Sequence, residues 1–232
     1  VIAVFAHRGC KGGGLRENTV EAFAEARRLG ADGVELDVRL TKDGALAVHH
    51  DTTVPGVGAV AEMGVAELPD YVPLLTEVLA VCDGMTVNVE IKNAPADPGW
   101  DATELVAAVT AETIEAAGWT DRVIVSSFQP ATLRAVQAAD ERLALGALWG
   151  VAADPARGLE EAAAAGYRAV HPFVVAVTPE LVERAHALGL AVNAWTVNNP
   201  DDLRAMVKLG VDTVITDVLS EALAIAAGDD GG

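Results

Sequence analysis

Positive charge is scarce in this sequence. Its 16 Lys and Arg face 34 Asp and Glu, a formal net charge of −18 at pH 7 and a pI of about 4.5. That balance argues against nucleic acid or an anionic membrane as a default partner. It also sets a condition on any anionic ligand, which must meet a bound cation or inward-turned arginine and lysine. Cysteine is nearly absent: Cys10 and Cys82 are too few for a disulfide framework and read as free thiols of a reducing compartment. No apolar run approaches the ~20 residues of a membrane span, so no stable membrane anchor is expected. The chain enters VIAVFAH directly, with no charged leader ahead of it. A cytoplasmic location is expected.

Aromatic residues are also few, 4 % against 51 % apolar residues in all. A core this poor in rings must be built from short branched side chains, as in a parallel sheet wrapped by Ala-rich helices. Runs of that kind alternate along the chain. Strands are predicted at Ile2–Ala6, Gly33–Asp37, Thr86–Ile91, Arg122–Ser127, Leu143–Leu148, Ala169–Pro172, Ala191–Thr196 and Thr213–Asp217. Helices are predicted at Thr19–Leu29, Leu75–Val81, Asp101–Ala117, Pro130–Ala139, Pro155–Ala165, Pro179–Leu188, Pro200–Leu209 and Ser220–Ala226, several with proline at the start and glycine just past the end. Eight βα repeats in 232 residues predict one α/β domain over 1–232, a (β/α)8 TIM barrel. An open doubly wound sheet would need a Gly-rich fingerprint that GCKGGG at 9–14 does not match. After Asp37, VRLTKDGALAVHHD reads as a β-hairpin about Asp43-Gly44 that brings His50 back to the level of Asp37. With the Gly/Pro-rich loop to Pro73, it forms a short insertion after strand two, residues 38–73.

Barrel enzymes work at the C-terminal ends of their strands, and here those ends are ionisable. Glu35 and Asp37 are two apart on a strand and face the barrel interior, as does Glu90 beside Lys92 on the next strand. Three converging carboxylates repel unless a cation sits among them, and an all-oxygen set suits one divalent ion, Mg²⁺ or Ca²⁺, rather than zinc. The competing reading is structural pairing of these acids with Arg8, Lys92 or Arg39. His7 and His50 are the expected proton-transfer pair. His49 should face away, and His186 reads as a surface residue. His171, at a strand end, is a candidate substrate contact. Arg8 and Lys92, with the cation, would supply the local positive field.

Taken together, HRG at 7–9, ENT at 17–19, ELDV at 35–38, TKDG at 41–44, HD at 50–51, EIK at 90–92, SSF at 126–128, WTVN at 195–198 and ITD at 215–217 resemble, in order, the glycerophosphodiester phosphodiesterase family. The resemblance implies hydrolysis of a small-molecule glycerophosphodiester to sn-glycerol 3-phosphate and an alcohol. It also implies His7 and His50 as acid and base, Glu35, Asp37 and Glu90 as metal ligands, and Arg8 and Lys92 at the phosphate. Glu17 and Asn18 fall beside the site, and Trp195 and Phe128 on the pocket wall. Arg16 stands where the family usually has proline, which either adds a phosphate-side charge or loosens the loop. A lysophospholipase D or sphingomyelinase-D-like enzyme is the runner-up; it would need an apolar landing surface, and the loops offer Val54, Val57, Val60, Met63 and Val65 but no aromatic cluster. A non-catalytic phosphate-binding barrel would have lost a histidine or a carboxylate, and none is missing.

Overall fold

The computed structural model describes residues 2–150 and 154–228. In chain order it runs β1 (Ala3–His7), α1 (Val20–Arg28), β2 (Gly33–Leu40), β3 (Leu46–Val48), β4 (Thr53–Val54), β5 (Gly58–Ala59) and α2 (Leu75–Val81). There follow β6 (Thr86–Ile91), α3 (Leu105–Ala116), β7 (Val123–Ser127), α4 (Pro130–Ala139), β8 (Ala144–Trp149), α5 (Pro155–Ala164), β9 (Ala169–Pro172), α6 (Pro179–Ala187), β10 (Ala191–Ala194), α7 (Pro200–Leu209), β11 (Thr213–Thr216) and α8 (Leu219–Ala226). Strands β1, β2, β6, β7, β8, β9, β10 and β11 are parallel neighbours, and β1 pairs with both β2 and β11. The sheet is therefore closed, and the TIM barrel expected from the repeats is the fold.

The local signals act where chemistry places them. Thr178 accepts a hydrogen bond from Leu181 N to cap α6, and Asn199 accepts one from Asp201 N to cap α7. The predicted start of the third helix at Asp101 needs correction. The Asp101 carboxylate accepts hydrogen bonds from Thr103 N and Leu105 N, and Glu104 lies at φ 57°, so helical geometry begins only at Leu105. Strand β10 ends at Ala194 rather than Thr196, with Trp195 held by an isolated bridge to Phe173.

The hairpin forms as read: β2 and β3 pair antiparallel, Val38 opposite Val48, and His49 N donates to Asp37 O at 3.0 Å. The loop beyond it has more structure than its composition suggested. It contains the β4–β5 ribbon, and Val54, Val60 and Met63 turn inward with Ala47 and Val72 to form a small separate core. Only Val57 and Val65 of that apolar set remain exposed.

Close packing at the barrel floor is visible at Gly33. A Cβ there would lie 2.5 Å from the Phe5 ring and 2.6 Å from the Thr86 carbonyl oxygen. The ring could shift, but the strand carbonyl cannot. Gly33→Ala should cost about 3 kcal/mol, at the upper end for overpacking, measured by urea denaturation; an unchanged midpoint would contradict this packing.

Candidate active site

The first strand–helix connection is built around a strained turn. Arg8 has φ 58° and Asn18 φ 55°, and Asn18 N donates to Arg8 O at 2.9 Å. Gly9 follows at φ 81°, and a Cβ there would lie 2.8 Å from that of Ala22 on α1. The turn lets α1 approach β1 closely while the Arg8 side chain reaches over the barrel mouth. There its Nε lies 3.2 Å from Asp37 Oδ2, and its Nη1 donates to Glu17 Oε1 at 2.9 Å.

Registers bring the acids together. Glu35 stands opposite His7 on β1 and Asn88 on β6, and Asp37 stands opposite Glu90. One carboxylate oxygen from each of Glu35, Asp37 and Glu90 lies within 4.8 Å of the others, and all three residues are buried. Lys92 Nζ sits 3.1 Å from Asp37 Oδ1 and 2.5 Å from Glu90 Oε1. Asn18 Nδ2 donates to Asp37 Oδ2 at 2.8 Å. The ion pairing anticipated for Arg8 and Lys92 is thus present, whereas Arg39 pairs with Asp97 instead.

Two cations do not neutralise three acids, and the electrostatics show which carboxylate is left over. Burial works against ionisation of Asp37, but Lys92 and Arg8 pull its pKa below the ordinary value. Glu90 is raised to about 7, by burial first and by the Asp37 charge next, against the pull of Lys92. Glu35 is pushed well up by burial and then by Asp37 and Glu90. A divalent cation among these oxygens would reverse that penalty, and oxygen-only donors of this kind suit a hard ion. Asn88 Oδ1, buried and without a hydrogen-bond partner among the described residues, faces the same pocket. The residues fit a metal ion.

His7 and His50 are oriented alike. His7 Nδ1 is 2.7 Å from Asp217 Oδ1, which leaves Nε2 directed toward Glu35 at 3.8 Å. His50 Nδ1 is 2.8 Å from Asp51 Oδ1. An acid at Nδ1 fixes the tautomer and presents Nε2 for proton transfer. Burial lowers the pKa of His50. Both imidazoles line a cavity of about 150 Å³ together with Arg8, Glu35, Glu90, Lys92, Phe128 and Trp195. The aromatic cluster not seen in the sequence is there: Phe128 and Phe173 each stack edge-on against Trp195, with centroids 5.5 and 5.3 Å away.

Asp217 is the residue that sequence reasoning left unassigned, although ITD marks the end of β11. Besides His7 it meets Lys11 Nζ at 2.6 Å and accepts from Asn198 Nδ2 at 2.7 Å. Lys11, in turn, lies 3.0 Å from Glu17. His171, the candidate substrate contact, is fully buried, does not line the cavity, and meets Asn193 Nδ2 through Nε2 at 3.1 Å. Its ring occupies the space above Gly146, and burial lowers its pKa to about 3. Arg16 does not line the cavity; its guanidinium stacks on Tyr71, 4.1 Å from the ring centroid. His49 turns away to Thr53 O, and His186 pairs at the surface with Asp212.

The glycerophosphoryl diester phosphodiesterase family profile matches residues 7–221, which take in every element of this site. The chain belongs to that family. It is 36 % identical to a glycerophosphodiester phosphodiesterase of Caldanaerobacter subterraneus subsp. tengcongensis, covering 92 % of this chain and 93 % of the relative. It is 35 % identical to one from Bacillus altitudinis, over 96 % and 97 %. Among solved structures, a glycerophosphodiester phosphodiesterase from Thermotoga maritima superposes with a TM-score of 0.80 at 26 % identity, covering 98 % of each chain. The matched range includes His7, Arg8, Glu35, Asp37, His50, Glu90 and Lys92. No helix among the described residues is long and apolar enough to cross a membrane. Cys10 and Cys82 are free and buried.

Proposed function

We propose that this protein hydrolyses glycerophosphodiesters to sn-glycerol 3-phosphate and an alcohol, with Glu35, Asp37 and Glu90 holding one divalent cation, Mg²⁺ or Ca²⁺. The observation that carries the reading is the convergence of two acid-anchored histidines, Arg8 and Lys92 on one small cavity that is also lined by Glu35 and Glu90 of the carboxylate triad. The cation, when bound, would polarise the phosphate and offset the triad's charge. Arg8 and Lys92 hold the non-bridging oxygens, and their neighbouring acids keep them charged and in place. Trp195 and Phe128 pack on the glycerol carbons.

His50, whose lowered pKa keeps it neutral at pH 7, takes a proton from the nucleophile. His7, held by Asp217, delivers one to the departing alcohol oxygen as its bond to phosphorus breaks. The nucleophile is the neighbouring glycerol hydroxyl, giving a cyclic phosphate that water opens, or water itself; the same two imidazoles serve either route. Glu17 and Asn18 act through their partners, Glu17 by steadying Arg8 and Asn18 by steadying Asp37.

Incubation with glycerophosphocholine, glycerophosphoethanolamine and glycerophosphoglycerol tests the reading. Glycerol 3-phosphate should appear from one or more of them. Release of glycerol with the phosphorylated alcohol, or no hydrolysis of any, would contradict it.

A further inference from the structure

The glycine-rich stretch GCKGGG at 9–14, which matches no dinucleotide fingerprint, holds a lysine that the reaction described above does not use. Gly13 and Gly14 lie at φ 69° and 84°, a conformation that strains any other residue although the space beside them is open. The turn they make brings Glu17 back beside Lys11. The Lys11 ammonium, partly enclosed, then lies between two carboxylates, 2.6 Å from Asp217 Oδ1 and 3.0 Å from Glu17 Oε2. Neither acid belongs to the triad. Asp217 Oδ1 also meets His7 Nδ1 at 2.7 Å, and Glu17 Oε1 accepts from Arg8 Nη1 at 2.9 Å. Burial opposes a charge on Lys11, but Asp217 and Glu17 raise its pKa above the ordinary value. Burial likewise opposes ionisation of the two acids, and Lys11 is among the partners that hold their pKa values down. All three groups are therefore charged at pH 7.

We propose that Lys11 is a positioning residue of the reaction: its ammonium ties Asp217, which orients the proton donor His7, to Glu17, which orients the phosphate ligand Arg8. This rests on the phosphodiesterase reading for the roles of His7 and Arg8. Charges alternate without a break from Asp217 through Lys11, Glu17, Arg8 and Asp37 to Lys92. Two acids that both reach one ammonium lie close enough to repel strongly once it is gone. Glu17, the more exposed of the two at 38 % against 28 %, then turns to solvent and frees Arg8. Asp217 keeps Asn198 Nδ2 on its Oδ2 at 2.7 Å. It loses the donor that fixes Oδ1, however, and the imidazole held there gains freedom. Proton donor and phosphate clamp are thus set by a single group that touches neither substrate nor cation.

Lys11→Met keeps an unbranched side chain and removes its charge. With glycerophosphocholine as substrate, kcat should fall and KM rise, each by roughly tenfold, the size of one lost charge-assisted hydrogen bond. Lys11→Arg should restore most of both, because a guanidinium can also span two carboxylates. Double-mutant cycles assign the two effects to their routes. In the Asp217→Asn background Lys11→Met should change kcat less than about twofold, and in the Glu17→Gln background it should change KM less than about twofold. Full losses in both backgrounds, or unchanged kinetics in folded Lys11→Met, overturn the proposal. A lysine that served the fold alone would lower the melting temperature and leave the cycles additive, which also overturns it. A crystal structure of Lys11→Met keeps the proposal separable from the phosphodiesterase reading. Loss of the Glu17–Arg8 or the Asp217–His7 contact supports the bridge even if no diester is hydrolysed. Both contacts intact refute it even if glycerophosphocholine is cleaved.

Discussion

His7→Ala should lower kcat for a glycerophosphodiester by roughly 10²–10⁴-fold, the range for losing a proton-transfer group. KM should change little, because Arg8 and Lys92 still bind the phosphate. The reason lies in the pairing of His7 Nδ1 with Asp217 at 2.7 Å, which orients the opposite nitrogen toward the carboxylate triad. The imidazole is mostly enclosed and lies at the end of β1, at the barrel mouth. Asp217→Asn should give a smaller loss of kcat, since an amide can still hold the ring at Nδ1, though without the carboxylate's charge. A folded His7→Ala protein with near-normal turnover would remove His7 from the mechanism. His50→Ala should behave comparably, through loss of the base.

Glu35→Gln should separate stability from function. In the absence of a cation, Glu35 is a buried carboxylate whose pKa is raised well above the ordinary value by burial and by Asp37 and Glu90. The sign follows from proton binding. Between the unfolded pKa and the raised folded one, the native state binds more protons than the unfolded chain, so stability falls as pH rises through that window. Glutamine cannot ionise, so the metal-free variant should be more stable than wild type at neutral pH and less sensitive to pH. Replacing a strained buried charge with a neutral group of similar volume gains about 1 kcal/mol or more, and each kcal/mol is about 2–4 °C in a domain of this size. The same change removes a proposed metal ligand, so turnover should fall by at least ~10²-fold. Added Mg²⁺ or Ca²⁺ should no longer raise the melting temperature. A variant less stable than wild type yet still stabilised by the cation would show that Glu35 serves the fold and not the metal.

The barrel was legible in the sequence because its signals are local. Proline at the first turn of α4, α5, α6 and α7, and branched runs of four to six residues between helices, suffice to count repeats. The Glu35, Asp37 and Glu90 cluster was legible because strand alternation and adjacency of β2 and β6 place them on one face. Asp217 was harder. It lies just past β11, and only closure of the sheet between β11 and β1 brings it to His7, 210 positions away. The aromatic cluster has the same origin, since Phe128, Phe173 and Trp195 follow three different strands. His171 shows the reverse error. A strand-end position suggested access to substrate, but Gly146 on the neighbouring strand leaves a hollow that the imidazole fills. The α3 start was missed because an Asp101 side chain satisfied the backbone donors that a helix would otherwise have used.

Phosphodiester hydrolysis by this protein is expected to depend on a cation held by the carboxylate triad. The most direct measurement is glycerol 3-phosphate release by protein stripped of metal, with EDTA and then with Mg²⁺ or Ca²⁺ restored, while the melting temperature is followed in the same samples. Turnover should be lost on stripping and regained with one of the two ions, and that ion should raise the melting temperature of wild type but not of Glu35→Gln. Undiminished turnover by thoroughly stripped protein, with no response of the melting temperature to either ion, would contradict the account.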